Sequence, residues 1–198
     1  MGIKPTDQDE GSVNYRRHGE RIAEELAFAR QLDNPAFTSG RILCAGARDG
    51  YEMYLLEALH DVEPSHMVGI DDCASMVAVG LITGDYTMIH GDICDMGFLA
   101  DDYFDMVFCS HTIEHIIRPH DALLEFSRVV RPGGSVWIIV PKESPGEGGS
   151  EYHLHHFVSL GNLVALCEIF FVNVVGWEVL VKNGIIDLIV RGEVPDGT

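Results

Sequence analysis

The chain has 198 residues, 46% of them hydrophobic, which is enough for one domain with a full core. Its formal net charge is −18, with 13 Lys and Arg against 31 Asp and Glu. That balance argues against non-specific nucleic-acid binding, which needs a basic surface, and reads as a solvated acidic face. The five cysteines (Cys44, Cys73, Cys94, Cys109, Cys167) form no C-x-x-C pair, and several stand in apolar runs. This fits a reducing compartment. No apolar signal region opens the chain and no run reaches the length of a membrane span, so a soluble, cytoplasmic protein is expected.

Residues 1–11 are polar, with Gly and Pro, and are expected to be disordered. Residues 12–198 are expected to form a single domain. Ser12 is placed to cap a helix running to about Leu32, with Ile22, Leu26 and Ala29 on one face, and Asn34-Pro35 ends it. This helix, with Tyr15, Arg16 and Arg17, is a candidate lid. Ile42 to Ala45 reads as a buried strand, and a helix follows from about Gly50 to His60. Met67 to Ile70 is a second strand closed by Asp71-Asp72, with a short helix or turn over about Ala74 to Val79. Tyr86 to Ile89 and Tyr103 to Cys109 are further strands, ended by His90-Gly91-Asp92 and by Ser110-His111. Pro119 to Val130 has helical period, and Arg131-Pro132-Gly133-Gly134 predicts a stop and turn. Val136 to Val140 is apolar almost throughout, as suits a parallel strand buried on both faces. Lys142 to Ser150 reads as a mobile loop and Val158 to Phe170 as a helix. Two β-rich runs, about Val172 to Val181 and Ile185 to Arg191, flank the hairpin signal Asn183-Gly184. The alternation predicts an α/β, Rossmann-like doubly wound sheet, mostly parallel, with an antiparallel C-terminal hairpin strand.

The stretch Arg41 to Gly50 organises the rest. A strand that breaks into Gly46-Ala47-Arg48-Asp49-Gly50 and then a helix can bring backbone close to a nucleotide-like ligand. In open α/β sheets ligands sit beyond the carboxyl ends of the strands. Those ends carry the glycine turn, Asp71, Asp92 and Ser110-His111. An acid ending the second strand is where a ribose diol would be held, since one carboxylate accepts from both hydroxyls.

Taken together, Ile42 to Gly50, Val68-Gly-Ile-Asp71, Gly91-Asp-Ile93, Phe104 to Ser110, Glu114-His115-Ile116 and Arg128 to Gly134 resemble the class I S-adenosylmethionine-dependent methyltransferases of the small-molecule type. The resemblance spans roughly residues 40–175, and His153 to Phe157 also resembles the family's loop after the fifth strand. It implies a cofactor site for S-adenosyl-L-methionine. Ala45, Gly46, Ala47, Arg48, Asp49 and Gly50 would pack against the methionine end, and Asp71 would take the ribose hydroxyls. Asp72 and Cys73 would flank the adenine. Asp92, after Gly91, would accept from the adenine amino group while the Ile93 N–H donates to the ring. Ser110 and His111 would line the floor beneath the acceptor. Two positions depart from the family pattern: Cys44 stands where an acid is usual, and Arg48 where a glycine is usual. These departures question turnover, and Asp49 is one substitute for the missing acid.

Methyl transfer from a sulfonium is an in-line displacement in which positioning can account for roughly 7–11 kcal/mol. A general base is needed only where the acceptor must lose a proton. Histidine suits that role, and His111 is the first candidate, ahead of His155 or His156. The expected partner is a small-molecule acceptor of unread identity. One rival reading is a non-catalytic methyltransferase-like binding or scaffold subunit, motivated by Cys44 and Arg48. A more remote rival is a zinc hydrolase, because His111-Thr-Ile-Glu114-His115 fits H-x-x-E-H. That motif needs both histidines on one helical face, and here it directly follows a strand. No metal ligands are assigned. A nicotinamide-dependent dehydrogenase of the short-chain type would need Tyr-x-x-x-Lys, which the chain lacks.

Overall fold

The computed structural model describes residues 10–32, 36–83, 85–144, 152–181 and 184–196. Six helices and seven strands follow one another as α1 (Glu10–Arg30), α2 (Ala36–Ser39), β1 (Ile42–Ala45), α3 (Tyr51–His60), β2 (Met67–Asp71), α4 (Ala74–Thr83), β3 (Thr87–His90), β4 (Phe104–Ser110), α5 (Pro119–Val129), β5 (Val130–Pro141), α6 (Leu160–Cys167), β6 (Val172–Leu180) and β7 (Ile186–Glu193), as counted among the described residues. Single 3-10 turns lie at Pro64–His66 and Ile113–His115.

The sheet order is β3-β2-β1-β4-β5-β7-β6. The first five strands are parallel, and β7 pairs antiparallel with both β5 and β6. The direction of winding reverses between β1 and β4, which opens a crevice at their carboxyl ends. All four residues of β1 are fully buried, because both faces of the sheet are covered. Leu43 and Ala45 face one core with Leu123 and Phe126 of α5 and Leu163 of α6. Ile42 and Cys44 face the other with Ile22 and Leu26 of α1 and Met53 and Leu56 of α3. Among the described residues no helix is long and apolar enough to cross a membrane.

Several boundaries differ from the sequence expectation. Helix α1 already runs from Glu10, so Ser12 is not its cap, and residues 1–9 of the expected disordered tail lie outside the described residues. The side chains of Tyr15, Arg16 and Arg17 and residues 145–150 of the expected loop also lie outside them. Helix α4 runs on to Thr83, and α6 is shorter than expected because Ser159 caps it by accepting from the Asn162 N–H.

The expected turn at Arg131–Gly134 is instead a bulge inside β5. Val130 pairs with Phe104 and Ser135 with Met106, so four residues of β5 are extruded, with Gly133 at φ 71°. The Gly133 N–H donates to the Val194 carbonyl and the Val194 N–H to the Gly134 carbonyl, both at 2.9 Å. The segment after β7 thus satisfies the backbone that a turn would have left to solvent, and Pro132 sits where no ladder donor is needed.

Candidate functional site

A cleft of about 420 Å³ opens at the carboxyl ends of the central strands. Its first wall is the turn after β1. Gly46 and Ala47 donate to the Ile70 carbonyl at 2.9 and 3.0 Å, which ties the turn to the end of β2. Gly46 has φ 79°, and a Cβ there would lie 2.1 Å from Thr112 Oγ1, so only glycine fits. Arg48, in the place of the family's glycine, adopts a left-handed φ of 52°.

The acids sit at the strand ends. Asp71 accepts from the Arg48 N–H through Oδ2 at 2.8 Å and from the Cys73 N–H through Oδ1 at 2.9 Å. A carboxylate has about four acceptor positions, so two remain for a ligand. Asp92 Oδ1 accepts from the Cys94 N–H at 2.8 Å, which shapes the turn after β3. Gly46, Ala47, Arg48, Asp49, Asp71, Asp72, Gly91, Asp92, Ile93, Ser110 and His111 all line this one cleft. Ala45 is buried in the core behind it, Gly50 is buried at the start of α3, and Cys73 is exposed outside it.

The far end of the cleft is a cluster of buried charge. Glu25 of α1 is fully buried, accepts from Ser110 Oγ at 3.1 Å and stands 2.8 Å from His111 Nε2. His111 Nδ1 lies 3.6 Å from Glu114 Oε1. Both ring nitrogens of the expected base therefore face carboxylates. Burial works against the charge, yet the pull of Glu25, hydrogen-bonded at one ring nitrogen, and of the Glu114 carboxylate facing the other wins and pushes the His111 pKa up to about 10. For Glu25, burial opposes ionisation and the His111 charge more than restores it, holding its pKa below the usual carboxylate value. Arg21, one turn before Glu25, donates from Nε to Oδ2 of fully buried Asp187 on β7 at 2.7 Å, with a second bond from its Nη2 to Oδ1. Glu52, at the start of α3, lines the same cleft, and burial pushes its carboxyl well above the ordinary range.

Glu25, Arg21, Asp187 and Glu52 were not legible as site residues. Only α1 held against β4 and β7 brings them together, and the one hint in the sequence was an acid and a base on the same turn of an otherwise apolar helix face. Of the post-β5 histidines, His153 lines the cleft, whereas His155 and His156 line a separate depression beside Pro119 and Phe157. The H-x-x-E-H spacing does not form a helical zinc pair. His111 has φ 49° and lies before the 3-10 turn Ile113–His115, so the two histidines share no helix face.

A doubly wound sheet whose glycine turn and two strand-end acids converge on one cleft defines an α/β protein built for a nucleoside-type ligand. Residues 43–138 match the family described as methyltransferase domain. The demethylmenaquinone methyltransferase of Clavibacter sepedonicus is 35% identical over 78 residues, which is 37% of this chain. The aligned part is 31% of that curated relative's length. Among solved structures, the complex of the Haloferax volcanii Trm112 methyltransferase activator with a methyltransferase matches with TM-score 0.77 at 16% identity, over 93% of each chain. Phosphoethanolamine N-methyltransferase 2 of Haemonchus contortus, in complex with S-adenosyl-L-methionine, matches with TM-score 0.69 at 15% identity, over 87% of this chain and 52% of that one. The arsenic(III) S-adenosylmethionine methyltransferase of Chlamydomonas reinhardtii matches with TM-score 0.62 at 16% identity, over 81% and 65%. At these identities the structural likenesses speak for the fold. The chain thus carries a methyltransferase-domain match over residues 43–138, just under half its length, within a fold shared with S-adenosylmethionine-dependent methyltransferases.

Proposed function

We propose that this chain transfers a methyl group from S-adenosyl-L-methionine to a small-molecule acceptor. The observation that supports this best is the convergence of Gly46, Asp71 and Asp92 on one cleft. Asp71 holds the ribose hydroxyls with its two remaining acceptor positions. Asp92 and the Ile93 N–H read the adenine edge, with Asp72 beside the ring. The turn from Gly46 to Asp49 takes the methionine end, and Glu52, rather than Asp49, supplies the carboxyl that Cys44 lacks. When bound, the cofactor supplies a methyl group on a sulfonium, whose leaving group is already activated.

The protein's own part is positioning and exclusion of water. Helix α1 closes the acceptor end through Glu25 and Arg21. In place of the base expected there, we assign His111 a positioning role: with both nitrogens turned to Glu25 and Glu114, it holds α1 against the end of β4. The acceptor enters between α1 and the segment around His153. All five cysteines are free thiols, which supports a cytoplasmic setting.

Calorimetry with S-adenosyl-L-methionine and its demethylated product tests the proposal. Wild type should bind one equivalent, and Asp71→Asn should bind about 10–100-fold more weakly, as for loss of a hydrogen bond to a charged group. No detectable binding up to millimolar ligand would overturn it in favour of a scaffold role.

A further inference from the structure

We propose that Glu114, His115 and His153 bind a divalent transition-metal cation at the acceptor end of the cleft. One ligand-type atom from each of the three lies within 4.8 Å of the others. All three residues line the cleft.

The ring orientations favour metal binding. His115 Nδ1 lies 3.2 Å from the Tyr152 carbonyl oxygen, which can only accept, so Nδ1 carries the proton and Nε2 keeps its lone pair. His153 Nδ1 is hydrogen-bonded to the Glu143 carboxylate, which leaves its Nε2 lone pair in the same way. A carboxylate or carbonyl on the far nitrogen is how metal-ligating histidines are oriented and made more basic.

Glu114 is the independent observation. It is 1% exposed, and neither carboxylate oxygen receives a hydrogen bond among the described residues. The cation that faces it is the His111 ring at 3.6 Å, beyond hydrogen-bond reach and shared with Glu25 at 2.8 Å, so the buried carboxylate is only partly compensated and has room for a second cation. His111 would then serve as an outer partner of the ligand. The backbone is also committed. The Glu114 carbonyl accepts from Leu154 at 2.7 Å and from His155 at 3.0 Å, so the segment carrying His153 is held against the turn carrying Glu114 and His115.

Two imidazoles and one carboxylate suit zinc, iron(II), manganese or cobalt rather than calcium or magnesium. Three protein ligands leave positions open. An acceptor that offers an oxygen ligand would suit such an open position. That substrate class rests on the methyl-transfer reading, whereas the cation site does not. The second acid–histidine cluster, Glu25, His111 and Asp187, is already compensated by Arg21.

The test uses untagged, chelator-treated full-length protein, titrated with cobalt(II) by visible absorption and with zinc(II) by calorimetry. One equivalent should bind. Glu114→Gln, His115→Ala and His153→Ala should each weaken binding about tenfold or more, and Glu143→Gln about 10–100-fold. His155→Ala, on the same segment but lining the other depression, should stay within about twofold of wild type. His153→Ala removes a partly exposed side chain, so it folds even if Glu114→Gln does not. Absence of stoichiometric binding, or equal binding by the His115 and His153 variants, would overturn the site. Titration of the same samples with S-adenosyl-L-methionine separates the two claims: cation binding without cofactor binding sinks only the methyl-transfer reading, and the reverse sinks only the cation site.

Discussion

Gly46 carries a left-handed φ of 79° and has Thr112 packed where a side chain would begin. Gly46→Ala should cost about 1–2 kcal/mol for the backbone alone, and more for displacing Thr112. Urea denaturation would measure the loss, and calorimetry should show cofactor binding abolished. Glu52 makes a different prediction. Burial raises its carboxyl well above the ordinary range, so the native state holds a proton more tightly than the unfolded chain, which releases it above about pH 4.3. Stability from this group therefore falls as pH rises above that value. Glu52→Gln removes the dependence, so the variant should be more stable than wild type at pH 7.5, with the gap closing by about pH 4. Thermal denaturation across that range would show it, and the variant's cofactor affinity would report what the carboxyl does for binding.

At the level of elements, α1 is held to the sheet by charge as well as by Ile22 and Leu26. The Arg21–Asp187 pair joins α1 to β7, and Glu25 joins it to the end of β4. Removing one member of a buried pair strands the other, so Asp187→Asn should destabilise by about 3–5 kcal/mol. The double replacement Arg21→Met with Asp187→Leu should recover most of that loss, because two apolar groups need no partner. Chemical denaturation of both variants measures the difference. A double variant no more stable than Asp187→Asn would show that the pair does more than compensate itself. Gly19 lies in the same helix, where a Cβ would come 2.4 Å from Tyr51 Cε1, so α1 packs closely on α3 beside the cleft.

Across the whole molecule the net charge of −18 acts as self-repulsion on a compact body. Raising ionic strength from about 10 mM to about 150 mM shortens the screening length from about 30 Å to about 8 Å. The melting temperature should rise over that interval, as scanning calorimetry can follow. A flat or falling curve would mean that ion pairs such as Arg128 with Glu125 and Asp101 outweigh the repulsion.

The wound sheet and the turn after β1 were legible because each rests on neighbours in sequence. An apolar run, a glycine break and a strand-end acid are local features, and the parallel topology places the ends of such strands together. The antiparallel hairpin was legible from Asn183-Gly184 for the same reason. The bulge in β5 was not, since Pro132 and Gly133 read as a turn until Val194, far along the chain, pairs with the backbone on either side. The charged end of the cleft was hidden for a like reason. Arg21 and Asp187 are 166 positions apart and Glu25 and Ser110 are 85 apart, so only packing makes them partners. Local chemistry determined where a nucleoside-type ligand could sit. Long-range burial of charge decided what surrounds the acceptor, because a buried ion must find its counterpart wherever the fold brings one within reach.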